Sequence, residues 1–119
     1  MATTYYDAED FITVHAGLFP VTISAQTGDG QGGGYLIFNG SHLVGANDKA
    51  VIGSIKDIKE WLTITATIKD KLEETNWTSV SVTLQANGQQ TYTFGPYKRE
   101  VEKHLDTVGY TIRIKILQS

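Results

Sequence analysis

The chain has 119 residues, a net charge of −3, 40% hydrophobic and 19% charged residues, 2 prolines and no cysteine. That balance suits one folded domain over residues 1–119, too apolar for a disordered chain and too polar for a membrane-embedded one. Disulfides, thiolate metal sites and cysteine nucleophiles are excluded, and a pI near 5.5 argues against general affinity for nucleic acid, which needs clustered Lys and Arg.

Residues 1–7 carry neither the basic nor the apolar stretch of a secretory signal, so the cytoplasm is the default expectation, with export by another route left open. Ile12, Val14 and Ala16, then Val21, Ile23 and Ala25, recur at every second position and predict two strands around residues 17–20. Residues 26–34 read as a Gly-rich inter-strand loop. Asn39-Gly40 separates the strand-like residues 35–38 and 41–44, and such a pair supplies the positive φ of a tight hairpin turn. Residues 51–55 form a weaker strand candidate. Residues 54–61 could make a turn or two of helix, with Ser54 as cap and Asp57 near the exposed amides.

Leu62, Ile64, Ala66 and Ile68 then alternate with Thr63, Thr65 and Thr67, a strand with one wet face. A second hairpin is expected where Asn87-Gly88 joins residues 80–86 to 89–94. Pro96 opens a predicted helix near residues 97–105 that places Tyr97, Val101 and Leu105 on one side. Tyr110, Ile112, Ile114 and Ile116 alternate with Thr111, Arg113 and Lys115 in a last strand. Half-buried strands of this kind belong to antiparallel sheets. The expected fold is therefore all-β, a single-domain antiparallel β-sandwich of about seven or eight strands with one short helix, a partly closed barrel being the alternative.

Charge is uneven along the chain: residues 1–48 hold Asp7, Glu9, Asp10, Asp29 and Asp48 and no Lys or Arg. Such a division either cancels in the folded molecule or equips it for self-association.

Gly28-Asp29-Gly30-Gln31-Gly32-Gly33 matches the spacing of a dinucleotide-binding loop. A strand is expected after it where a helix N-terminus would have to meet the pyrophosphate, so nucleotide binding is not expected. His15, His42 and His104 form no ligand pair by spacing, and no nucleophile motif is present, so neither a metal, a cofactor nor catalysis is expected.

The tryptophans are more informative. Alternation puts Trp61 with Thr63, Thr65 and Thr67, and Trp77 with Ser79, Ser81 and Thr83, on polar faces. An outward indole beside hydroxyls suits sugar, whose apolar ring face stacks on it while polar neighbours hold its hydroxyls. The competing reading is that loops or a subunit interface cover both rings. The expected function is a non-catalytic, self-associating, lectin-like module for carbohydrate or glycolipid, with Trp61, Trp77, Asp29, Asn47 and Asp48 as ligand-binding residues. The alternative is a structural subunit of a tube, shell or filament. A toxin-like, membrane-acting β-protein ranks third, because two amphipathic segments each begin with Trp but are joined by a highly charged connection.

Overall fold

A computed structural model describes residues 3–14, 19–28, 32–58, 61–69, 77–86, 90–101 and 106–118. They form β1 (Thr3–Val14), β2 (Val21–Gly28), β3 (Gly32–Asn39), β4 (His42–Ala46), β5 (Ala50–Ile52), β6 (Trp61–Lys69), β7 (Trp77–Ala86), β8 (Gln90–Glu100) and β9 (Thr107–Gln118), with a 3-10 turn at Ile55–Asp57. Sheet A has the order β1-β9-β6-β3-β4 and sheet B the order β5-β2-β7-β8. The two pack as a β-sandwich.

Alternation accounts for the layering. Leu62, Ile64, Ala66 and Ile68 of β6 and Val108, Tyr110, Ile112, Ile114 and Ile116 of β9 point inward, where they meet Val21, Ile23, Val80, Val82 and Leu84 of sheet B. Thr63, Thr65, Arg113 and Lys115 consequently stand on the outer face of sheet A. Tyr92 is only half-buried, because β8 is an edge strand with no hydrogen-bonded neighbour beyond it among the described strands.

The only connections among these strands that stay within one sheet are β3–β4 and β7–β8, the two that carry the Asn-Gly pairs. The first turn sits one residue later than expected. Asn39 pairs with His42 as a strand residue, leaving Gly40 and Ser41 at the corner. Only Gly40 of these has a positive φ, 62°, which fits a turn with Gly at its first central position. Asn39 is buried, and its Nδ2 donates to the Asp57 carbonyl at 2.6 Å, so its side chain serves the neighbouring 3-10 turn. In that turn Asp57 Oδ2 accepts the Ser54 backbone N–H at 3.0 Å. Residues 87–89 lie outside the described residues.

Three expectations are corrected. Residues 97–100 continue β8 instead of opening a helix, and residues 102–105 of the proposed helix lie outside the described residues. Gly95, at φ 91°, makes a bulge opposite Ser81, between the Val80–Tyr97 and Val82–Phe94 pairs. That kink lets Pro96 sit in an edge strand, where no N–H is needed on the free side. Residues 26–28 belong to β2 and residues 32–34 to β3, so the Gly-rich stretch is largely strand, and no helix follows the dinucleotide-like spacing. Finally, β1 begins at Thr3 and pairs in parallel with β9, the one parallel ladder among the described strands.

Candidate binding site on the outer face of sheet A

Register across three strands builds the site. Phe11 of β1 is paired with Lys115 of β9, and Lys115 with Trp61 of β6, so one row on the outer face reads Phe11, Lys115, Trp61. The Lys115 ammonium lies 5.6 Å from the centre of the indole, within the range of a cation–π contact. Phe11 is 67% exposed. With Glu9, Asp10 and Leu117 these residues line an open groove of about 470 Å³.

Both carboxylates of the groove are engaged. Glu9 approaches the Arg113 guanidinium at 3.7 Å in an exposed ion pair. Asp10 Oδ1 accepts the Phe11 backbone N–H at 3.1 Å, and Oδ2 accepts the Tyr97 hydroxyl at 3.0 Å. Burial, followed by that hydrogen bond to Asp10, pushes the Tyr97 hydroxyl well above the usual tyrosine range. Among the described residues Lys115 makes no ion pair, which leaves its charge available to a ligand beside the indole.

A second groove of about 260 Å³ opens at the other end of the same face, lined by Gly34, Tyr35, Leu36, Asn47, Thr65 and Thr67. Asn47 adopts a positive φ of 56°. Its backbone N–H donates to the Tyr35 carbonyl at 2.8 Å, and its Oδ1 accepts the Tyr35 N–H at 2.8 Å. A side chain at Gly34 would meet Asn47 Oδ1 at 2.7 Å, so the glycine makes room for this amide.

Of the sequence-predicted residues, Trp61 and Asn47 thus fall on one face, at opposite ends of β6. Asp48 is exposed next to Asn47, with Oδ1 accepting the Lys49 N–H at 2.7 Å. Trp77, 44% exposed, looks out from sheet B on the opposite side of the sandwich, so the two indoles do not share a site. Asp29, like His15 and His104, lies outside the described residues. Phe11, Lys115, Glu9 and Asp10 are not among the ligand-binding residues the sequence predicts. Their nearness depends on the β1–β9 pairing, and only the outward place of Phe11 between Asp10 and Ile12 hinted at it.

Among the described residues no three His, Cys, Asp or Glu side chains gather as a metal site would require. No helix there is long and apolar enough to cross a membrane. No family model, no curated protein and no solved structure matches the chain.

Proposed function

We propose that this protein is a non-catalytic carbohydrate-binding module whose site is the Trp61 groove. The row Phe11, Lys115, Trp61 carries the reading: two aromatic rings flank a cation on one sheet face, with the Glu9 carboxylate and the Thr63 and Thr65 hydroxyls on the same face. Aromatic surface offers stacking for a pyranose, and the polar groups fix its orientation. A site built on strands also costs little ordering on binding.

A structural subunit that self-associates is the second reading. The sheet edges weigh against strand-to-strand assembly. β4 has 5 residues and a register shift that skips its Val44, β5 has 3, and β8 carries the Gly95-Pro96 bulge. β1 is long, but the half-buried Asp10 occupies its inner side and takes up the Phe11 N–H. Short, bulged and charged edges resist pairing with another sheet. Self-association therefore fits better through an outer face than through an edge.

A glycan array followed by titration calorimetry tests the proposal. Trp61→Ala and Phe11→Ala should each abolish or severely weaken sugar binding, whereas Trp77→Ala should leave it intact. Binding lost only in Trp77→Ala would move the site to sheet B, and no binding to any glycan would favour the structural reading.

A further inference from the structure

The two grooves lie on one track. Trp61, Thr63, Thr65, Thr67 and Lys69 project outward in succession along β6, over about 26 Å at the usual strand rise. The first groove opens at Trp61 and the second at Thr65 and Thr67. A single monosaccharide would fill only one of them.

The strands that carry this track bear charge of one sign, while the two carboxylates that reach its Trp61 end, Glu9 and Asp10, come from β1 and are already engaged. The outward charged residues of β6 and β9 are Lys69, Arg113 and Lys115, all basic. The outward carboxylates of β1, Asp7 and Glu9, stand on the edge strand, where Glu9 is already held by Arg113, and the exposed Asp48 beside Asn47 accepts the Lys49 N–H. Asn47 contributes in the same sense: its Oδ1 is taken by the Tyr35 N–H, so the Nδ2 amide is the group left to donate into the second groove.

From these observations we infer that the ligand is a linear acidic polysaccharide, a chain of uronic acid units lying along β6 from Trp61 to Lys69. The inference rests on the carbohydrate reading above and specifies its ligand. Trp61 stacks against one sugar ring, and Lys115 meets the carboxylate of that unit. The Thr63, Thr65 and Thr67 hydroxyls exchange hydrogen bonds with the units between. Lys69 and the Asn47 amide receive the far end. A charge-assisted bond at each end fixes both length and sign, which a hydroxyl ladder alone would not.

Calorimetric titration with oligogalacturonide dimer, tetramer and hexamer, beside neutral galacto-oligosaccharides of the same lengths, provides the test. The acidic series should bind more tightly as it lengthens, and the acidic hexamer should exceed its neutral counterpart by about tenfold or more. Lys69→Met should weaken the acidic hexamer by about tenfold and leave the dimer unchanged, because only the longer chain reaches it. Lys115→Met should weaken every acidic ligand, and added salt should erode the same difference. Unchanged thermal unfolding of both variants establishes that they are folded. Equal affinity for acidic and neutral hexamers overturns the inference while leaving the carbohydrate reading intact. An acidic dimer that binds as well as the hexamer overturns the extended track. Failure of every oligosaccharide to bind overturns the carbohydrate reading itself.

Discussion

The Tyr110 hydroxyl lies 2.7 Å from Thr78 Oγ1, a buried hydrogen bond that joins sheet A to sheet B across the core. Thr78 Oγ1 donates to the Arg99 carbonyl at 2.8 Å, so the Tyr110 O–H is the donor to Thr78 and also reaches the Thr78 carbonyl at 3.2 Å. Tyr6 packs on Tyr110 with ring centres 5.3 Å apart, bringing β1 into the same cluster. Removing the hydroxyl in Tyr110→Phe should cost about 1–3 kcal/mol in urea denaturation, because a buried acceptor loses its donor. Thr78→Val should cost a similar amount by stranding the Arg99 carbonyl. The double variant should lose less than the sum, since both changes break one network.

Tyr97 and Asp10 make stability depend on pH at the alkaline end. The Tyr97 hydroxyl ionises above the ordinary value of 10.0 in the folded protein. The folded state therefore holds this proton more firmly than the unfolded state does. The contribution is complete below about pH 10, the unfolded tyrosine value, and falls as pH rises through the folded value. Denaturant midpoints measured at increasing alkaline pH should fall for the native chain, and Tyr97→Phe should flatten part of that slope. Equal slopes in both proteins would refute the assignment.

Asp10 is also expected to guard the β1 edge. Its carboxylate takes the Phe11 N–H and the Tyr97 hydroxyl, so Asp10→Val would leave a long apolar-flanked edge without its charge. Such an edge is prone to pair with another chain. Sedimentation velocity should show concentration-dependent association in this variant beyond that of the native protein. Asp10→Asn, which keeps an acceptor of the same shape, should show less.

Inward and outward positions of β6 should differ sharply. Ile64 is fully buried while Thr65 is not, so Ile64→Ala should cost about 2–5 kcal/mol by opening a cavity. Thr65→Ala should change stability by about 0.5 kcal/mol or less. Chemical denaturation of the two variants side by side checks the register, because a slip of one residue would reverse the pattern.

Much of the sandwich was legible in the sequence because period-two alternation is strong where both neighbours of a strand are present, as in β6, β7 and β9. It was weak in β1, where Asp10 occupies an inward position among Tyr6, Ala8 and Ile12 and hides the true start at Thr3. Around Pro96 the local signals favoured a helix. The bulge at Gly95 and pairing to β7 supplied an alternative that no local pattern displays. The outward place of Trp61 followed from parity alone. Its company did not, because Lys115 reaches it through the antiparallel β6–β9 ladder and Phe11 through the parallel β1–β9 ladder beyond. Asn47 was selected for its polar side chain, and a positive φ with a paired Tyr35 backbone explains its place in the β3–β4 region.

The claim that the outer face of sheet A binds carbohydrate is tested most directly by residue-resolved NMR. Backbone amide shifts of the isotope-labelled 13.1 kDa chain would be followed during titration with oligogalacturonide hexamer. The account predicts saturable shifts concentrated at Phe11, Trp61, Thr63, Thr65, Thr67 and Lys115, with the Trp61 indole N–H among the most perturbed and Trp77 unmoved. Shifts centred on Trp77 and the outer face of sheet B, or none with either this hexamer or its neutral galacto-oligosaccharide counterpart, would contradict it.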